Sequence, residues 1–239
     1  MTQSRDLTIH LDDFLLQRVA DVLPSPLDAP LRKISARFRP IIEPPKKMSA
    51  CDLHDLGTLT GCILMLKVAR ANGCPWTENT CSTAARNGHL AALQWVHGQG
   101  CPWDTWTCAL AAYHGHFDIL KWAREYGCPW DEWTCADATV NGHLVILQWA
   151  RTLGCPWDGH VCDFAAHNGH IETLRWAHEH GCPWDADTCT AAAYNGHLDT
   201  LKWLHEHGCP WNADTCTEAA NNGHQNCLEY AIANGCPRE

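Results

Sequence analysis

Residues 181–207 read GCPWDADTCTAAAYNGHLDTLKWLHEH, and closely similar stretches precede and follow them at intervals of 27 residues. The tetrapeptide Gly-Cys-Pro-Trp opens each copy and decays to Gly-Cys-Pro-Arg at the C-terminal end of the chain. It begins at Gly73, Gly100, Gly127, Gly154, Gly181 and Gly208. A fixed period of roughly 20–50 residues is typical of a solenoid, in which each unit packs against its neighbours. The sequence therefore predicts a stack of short units.

The first half of the quoted copy predicts a short helix. Asp185 and Thr188 precede a run of small residues and can accept hydrogen bonds from the N–H groups that open a helix, so we predict a helix over Cys189 to Tyr194. Asn-Gly follows, and glycine readily takes the left-handed conformation that ends helices, here at Gly196.

The second half of the copy predicts another helix, which begins near His197 and ends at Gly208. Its apolar residues fall on one helical face. They are Leu198, Leu201, Trp203 and Leu204. Isolated helices shorter than roughly 12–15 residues are marginal in water, so both helices need the stack for their stability.

The repeated pattern T-C-x-x-A-A-x-x-G-H-L-x-x-L-x-W-x-x-x-x-G closely resembles the ankyrin repeat. In one copy the matching residues are Ala84-Ala85, Gly88-His89-Leu90 and Gly100. The resemblance implies an all-α, right-handed solenoid of stacked helix–turn–helix repeats, in which the Gly-His imidazole ties adjacent loops together. The unit has 27 residues where ankyrin repeats have about 33, so we expect shortened or absent β-hairpins.

Charge and composition exclude several classes of function. Residues 1–50 carry 8 Lys/Arg and 6 Asp/Glu, whereas residues 51–239 carry 9 Lys/Arg and 21 Asp/Glu. Nucleic-acid affinity comes largely from cations that neutralise phosphates, so the acidic array predicts no nucleic-acid partner. No apolar run reaches the roughly 18–20 residues of a membrane span, and no secretory signal opens the sequence. We expect a cytoplasmic or nuclear protein.

The cysteines, histidines and tryptophans recur at equal intervals, which favours structural roles. Two cysteine series and two tryptophan series predict a buried thiol ladder and aromatic stacking between units. A ligand-binding aromatic strip is the alternative for the tryptophans. Zinc is an alternative for Cys74, Cys81 and His89, but their Cys-x6-Cys-x7-His spacing is looser than that of structural zinc sites and supplies three ligands. We predict no catalytic residue, metal or cofactor.

Positions that differ between the copies are the candidates for recognition of a partner. In ankyrin-like stacks such positions, just before the Thr-Cys pair and near the end of the first helix, line the concave protein-binding face. The predicted partner-binding residues are Trp106, Tyr113, Trp133, Val140, His160, His167, Asp187 and Tyr194. Exposed aromatic residues on consecutive units form an apolar patch of the kind that interfaces use. The alternative is variation at a solvent-facing surface that binds nothing.

The N-terminal segment does not share the repeat. Leu11, Phe14, Leu15 and Val19 fall on one helical face, and Leu31, Ile34, Ser35, Arg37 and Phe38 match the second part of an F-box. The segment resembles an F-box, although Asp12 and Pro30 depart from that pattern. The resemblance implies docking on the adaptor subunit of a cullin-based ubiquitin ligase through Leu11, Phe14, Leu15, Val19, Leu31 and Ile34. A helical cap for the solenoid would use similar apolar spacing.

The sequence thus predicts an F-box-like leader and linker over residues 1–45 and an ankyrin-like array over residues 46–239. The array comprises a degraded first copy (46–73), repeats (74–208) and a C-terminal capping copy (209–239). The predicted function is a monomeric protein-binding adaptor, the substrate receptor of a ubiquitin ligase, without enzymatic activity. F-boxes joined to ankyrin repeats are familiar in large DNA viruses, which implies a host-cell cytoplasmic location for a viral chain. The alternatives are a scaffold unrelated to ubiquitin and a zinc-binding repeat protein.

Overall fold

The computed structural model describes residues 49–237 of the 239-residue chain. Over this range, helices follow one another in seven pairs joined by tight turns. In chain order they are α1 (Ala50–Thr60), α2 (Ile63–Ala71), α3 (Glu78–Arg86), α4 (Leu90–Gly98), α5 (Thr105–Tyr113), α6 (Phe117–Glu125), α7 (Glu132–Val140), α8 (Leu144–Thr152), α9 (His160–His167), α10 (Ile171–Glu179), α11 (Ala186–Tyr194), α12 (Leu198–Glu206), α13 (Ala213–Asn221) and α14 (Gln225–Ala233). No strand occurs between residues 49 and 237, so the predicted helical stack with absent hairpins is confirmed there.

The leader predicted over residues 1–45 lies outside the described residues, and so do Leu11, Phe14, Leu15, Val19, Leu31 and Ile34. Its resemblance to an F-box therefore stays a prediction, and so do the domain boundaries. Among the helices of residues 49–237, none combines the length and the apolar character that a membrane span requires.

Capping at Asp185 fixes where the first helix of its unit begins. The Asp185 carboxylate accepts a hydrogen bond from the N–H of Asp187 at 2.9 Å, while Thr188 Oγ1 accepts one from the N–H of Asp185 at 3.4 Å. This reciprocal capping box places Thr188 inside the first turn. The helix therefore begins at Ala186, and the predicted start at Cys189 is three residues too late. The predicted glycine end is confirmed, since Gly196 has φ +72°.

The core of the stack has two kinds of layer. First helices contribute cysteine and alanine, as in α5, where Cys108, Ala111 and Ala112 are fully buried. Each first helix packs against the first helix of the next unit, which such small side chains permit. Second helices contribute larger side chains, such as Ile119 and Leu120 of α6. Burying one Leu or Ile side chain stabilises the fold by about 1.5–3 kcal/mol, so the stability of each unit depends on its neighbours.

Tryptophans close the loop side of each unit. The loop tryptophan meets the second-helix tryptophan edge to face, with ring centroids 5.7–6.0 Å apart. The pairs are Trp76–Trp95, Trp103–Trp122, Trp130–Trp149, Trp157–Trp176 and Trp184–Trp203. An arginine or histidine six residues before the loop tryptophan lies on its ring: Arg124 on Trp130 at 4.0 Å and His178 on Trp184 at 3.7 Å. Both tryptophan series therefore pack within the stack: the Trp–Trp pairs lie within one unit, and the Arg or His on the loop tryptophan supplies the contact with the preceding unit.

The cysteines form the predicted buried ladder. Loop cysteines donate their thiols to a backbone carbonyl of the preceding unit: Cys128 Sγ lies 3.4 Å from the Asp104 oxygen, and Cys209 Sγ lies 3.2 Å from the Asp185 oxygen. A hydrogen bond with the helix thiol of Cys108, together with burial, raises the pKa of Cys128. All 16 cysteines of the chain lie in the described residues and are free thiols. The ladder therefore links neighbouring units without covalent bonds.

Candidate functional site

Three positions per unit, spaced i, i+4 and i+7, stand on the outward side of each first helix. Because i, i+4 and i+7 fall on one helical face, these positions line up from unit to unit. We call them the first-helix face: Trp106, Leu110 and Tyr113 on α5; Trp133, Asp137 and Val140 on α7; His160, Phe164 and His167 on α9; Asp187, Ala191 and Tyr194 on α11. None of the twelve is fully buried. The face includes all eight residues that the sequence analysis selected.

The largest exposed rings of the face are Trp106 and Trp133, which are 56% and 41% exposed. They lie on adjacent units and line a cleft of about 200 Å³ together with Thr105, Ala109 and Asp131. The lining of this cleft therefore includes two indole rings, from Trp106 and Trp133, and one carboxylate, from Asp131. That combination suits a ligand group that is both flat and cationic.

The middle of the face is an aromatic cluster. The ring of Trp133 lies 5.4 Å from that of His160 and 6.5 Å from that of Phe164, and the last two rings are 5.9 Å apart. His160 Nδ1 also lies 2.9 Å from a carboxylate oxygen of Asp158, and this hydrogen bond raises the pKa of His160. The middle of the face therefore combines three aromatic rings with one imidazole whose carboxylate partner stabilises its protonated form.

Tyr194 dominates the far end of the face and is 44% exposed. Its ring stacks on that of His167 at 5.7 Å. Both residues line a second, more open cleft of about 350 Å³, which Asp187 and Glu218 also border. This end therefore repeats the combination of an exposed ring and nearby carboxylates.

Three of the predicted residues also contribute to the stack through their backbone. Tyr113 accepts a hydrogen bond from Asn141 Nδ2 at 2.8 Å, and Asn195 Nδ2 makes the same contact with the His167 carbonyl at 2.6 Å. The Val140 carbonyl lies 3.1 Å from His170 Nε2. These bonds join consecutive units and hold the end of each first helix in place, so the side chains project from a fixed backbone.

Leu110, Asp137 and Phe164 occupy the middle position of the face on their helices and were not among the predicted residues. The signal was present, because this position also varies between copies: Thr83, Leu110, Asp137, Phe164, Ala191 and Glu218. Phe164 completes the aromatic cluster described above. Asp137 is half-buried, and burial together with the carboxylate of Asp131 raises the pKa of Asp137 to about 6.

The Gly-His imidazoles link loops of adjacent units, as the ankyrin resemblance implied. Nε2 of His89 lies 2.9 Å from the Leu59 carbonyl, and Nε2 of His116 lies 3.1 Å from the Arg86 carbonyl. Within residues 49–237, no three His, Cys, Asp or Glu side chains converge as metal ligands would. Cys74, named with Cys81 and His89 as a zinc alternative, instead has its Sγ 3.2 Å from that of Cys51.

No protein-family model and no curated protein matches the chain. Among solved structures, the chain is similar to the crystal structure of human ASB11 ankyrin repeat domain, with a TM-score of 0.53 at 17% sequence identity. The match covers 66% of this chain and 84% of that chain. At this identity the likeness concerns the fold alone, and the described helices have the fold of an ankyrin-repeat solenoid.

Proposed function

We propose that this chain is a protein-binding scaffold whose partner docks on the first-helix face. The observation that carries the proposal is the exposure of Trp106 and Trp133 on adjacent units, in a molecule whose repeated tryptophans all pack within the stack. Interfaces are enriched in tryptophan and tyrosine, which supply most of the binding energy when they are buried by a partner. A contiguous exposed apolar patch marks such a surface.

Co-purification of the full chain from cells tests this proposal. The variant W106A/W133A should lose protein partners that the wild type retains, while both proteins melt at nearly the same temperature. The matched control is V145A/L153A, which removes two exposed apolar side chains of about 64% and 56% exposure at the second-helix side. Identical partner sets for all three proteins would contradict the proposal.

We further propose that the scaffold serves as the substrate receptor of a cullin-type ubiquitin ligase. The support is the F-box-like pattern of the leader, with Leu31 and Ile34 at its apolar positions. In this proposal the leader binds the adaptor subunit and the solenoid presents the bound partner, in the cytoplasm or nucleus. A viral origin would place it in the host cytoplasm. The alternative proposal is a scaffold without any ubiquitin link.

Binding of the purified adaptor subunit to the full chain separates these two proposals. The variant L31D/I34D should bind the adaptor at least 10-fold more weakly than the wild type. The charge-matched control T8D/Q17D places the same two charges elsewhere in the leader and should bind normally. Absence of adaptor binding by the wild type would leave the scaffold without the ubiquitin link.

The proposed function includes no catalysis, cofactor or metal. Catalytic sites combine unlike groups whose environments set their pKa values apart. The Cys and Gly-His side chains of this chain instead recur in equivalent environments, where they link neighbouring units. We therefore assign these residues to the scaffold.

A further inference from the structure

Aromatic rings on the two sides of the solenoid differ in their access to cations. On the loop and second-helix side, lysine or arginine lies over several rings: Lys121 over Phe117 at 3.9 Å, Arg124 over Trp130 at 4.0 Å and Arg151 over Trp157 at 4.1 Å. Within residues 49–237, no lysine or arginine lies over a ring of the first-helix face. Within the described residues, no lysine or arginine therefore competes with an outside cation for the rings of Trp106, Trp133 and Tyr194, although the imidazole of His160 lies 5.4 Å from the Trp133 ring.

The charges of the array are segregated in the same way. From residue 101 to residue 237, every lysine and arginine belongs to a second helix: Lys121, Arg124, Arg151, Arg175 and Lys202. Among Asp, Glu, Lys and Arg, the first helices over this range carry only the carboxylates Glu132, Asp137, Asp163, Asp187, Asp214 and Glu218, and their titratable histidines are His160 and His167. Both Lys/Arg salt bridges of the described chain also lie on second helices, between Arg175 and Glu172 and between Lys202 and Asp199. No lysine or arginine of the described chain neutralises these first-helix carboxylates.

The Trp106–Trp133 cleft contains a carboxylate that lacks a partner. Asp131 stands at the N-cap position of α7 without a side-chain cap hydrogen bond and lines this cleft, and its Oδ1 is buried without a hydrogen-bond partner within the described residues. An unpaired buried carboxylate oxygen costs free energy, and a cationic donor relieves that cost. Asp104 Oδ1, at the equivalent cap of the preceding unit, is also buried and unpartnered.

We infer that the first-helix face binds an arginine-rich, extended segment of a partner protein, with a guanidinium seated between Trp106 and Trp133. This inference rests on the proposed function and names the chemistry of the partner. The cleft of about 200 Å³ takes one side chain and no larger element. A planar guanidinium stacks on indole and pairs with a carboxylate through two hydrogen bonds, which the ammonium group of lysine cannot do as well.

The repeat also sets the spacing of the cations in the partner. Packed helices lie roughly 8–10 Å apart, so successive units present their rings and carboxylates about once every 10 Å. An extended polyproline II chain rises about 3.1 Å per residue with three residues per turn, which returns a side chain to the same side after about 9 Å. An arginine at every third residue of the partner therefore matches the face. An extended partner segment of about nine residues spans the distance from the cleft at Trp106 to the cleft at Tyr194.

Fluorescence anisotropy with synthetic 12-residue peptides tests the inference on the full chain. The probe is (Arg-Pro-Pro)4, and the comparison peptide has the same composition with its four arginines in one block. The spaced peptide should bind at least 10-fold more tightly. The variant W106A/W133A should bind it about 30-fold more weakly, which corresponds to about 1 kcal/mol for each ring.

Two charge-matched variants separate the face from the general acidity of the array. D131N/D187N removes the carboxylate of the Trp106–Trp133 cleft and one carboxylate of the first-helix face. Asparagine suits the N-cap position of α7 as well as aspartate does, and Asp131 makes no side-chain cap hydrogen bond that the substitution could break. E172Q/E206Q removes two carboxylates of second helices. We expect about 10-fold weaker peptide binding for the first variant and a change below twofold for the second. Equal losses for both, or equal binding of the two peptides, would overturn the inference.

The basic leader is the competing occupant of the face. Arg32, Lys33, Arg37 and Arg39 lie outside the described residues, and the full-length variant R32Q/K33Q/R37Q/R39Q should leave peptide affinity unchanged. A tenfold gain in the peptide affinity of this variant would show that the leader itself covers the face, and it would overturn the assignment of the face to a partner protein. Failure of the peptide to bind, combined with loss of cellular partners by W106A/W133A, would overturn only the arginine chemistry. Retention of those partners would overturn the proposed function as well.

Discussion

Trp149 and Trp133 are close in sequence and occupy contrasting environments. The ring of Trp149, on second helix α8, lies 6.0 Å from that of Trp130 and 5.4 Å from that of Phe117. Trp133, on first helix α7, is 41% exposed. Trp149 belongs to a series that recurs through the array, whereas at the position of Trp133 only one other unit has tryptophan. Recurrence along the chain, more than side-chain type, distinguishes residues that build the stack from residues that face outward.

Alanine substitution of Trp149 and of Trp133 should give the largest difference in the free energy of unfolding. W149A leaves a hole between two aromatic neighbours and should lower the free energy of unfolding by about 3 kcal/mol. W133A removes an exposed ring and should change it by less than about 0.5 kcal/mol. Urea unfolding at constant m-value measures both changes. Losses of equal size would show that Trp133 also supports the stack.

A smaller difference in the free energy of unfolding is expected between alanine substitutions at two of the recurring glycines. Gly142 and Gly127 both have positive φ values, +70° and +85°, which cost an alanine about 1–2 kcal/mol. A Cβ at Gly142 would also lie 2.9 Å from Nδ1 of His170, whereas a Cβ at Gly127 would meet no atom within 4 Å. G142A should therefore destabilise the protein by about 1 kcal/mol more than G127A, because it displaces the imidazole that bonds the Val140 carbonyl.

The double variant G142A/H170A checks the cause of that difference. Without the imidazole, the alanine methyl group loses the three nearest atoms that it would meet, which all belong to His170, so the additional cost of G142A should disappear in the H170A background. An additional cost that persists without His170 would place the strain in the backbone of the turn instead of in the contact between units.

The fold was predictable because a 27-residue period constrains every copy at once. Glycine positions, the helix pair and the stacking tryptophans each follow from residues that recur. The start of α11 was missed because Asp185 and Thr188 form a capping box around the first turn, and a short sequence does not show which of two polar residues precedes the helix.

The candidate site was predictable only in part. Recurrence and its exceptions identified Trp106 and Trp133, but Phe164 was missed because only the positions before the Thr-Cys pair and near the end of the first helix were considered, although the middle position varies between copies as well. The contact between each loop tryptophan and an Arg or His of the preceding unit was missed for a different reason. It joins residues of different copies, as Arg124 and Trp130 do, and a period within one unit does not show which neighbours meet.

The smallest expected effect concerns a carboxylate of the face itself. Burial and the nearby Asp131 raise the pKa of Asp137 to about 6 in the folded chain, above the value near 3.8 of an ordinary aspartate. The folded state therefore holds this proton more tightly than the unfolded state, and the resulting stability is present below pH 4 and lost as the pH rises to 6. D137N should stabilise the protein by about 1 kcal/mol at pH 7, an amount reduced by solvent screening at this half-buried position, and should leave stability at pH 4 unchanged.

The same titration connects stability with recognition. If an arginine of the partner approaches Asp137, the bound state favours the ionised carboxylate, so wild-type affinity for (Arg-Pro-Pro)4 should rise by a fewfold between pH 5 and pH 7. D137N has no carboxylate to titrate at this position and should show a flatter profile. Because the imidazole of His160 is a second titratable group beside Trp133, with a pKa that Asp158 raises, the variant H160Q/D137N serves as the matched background in which any remaining slope must come from other groups. A wild-type profile that falls toward pH 7 would place the peptide away from Asp137.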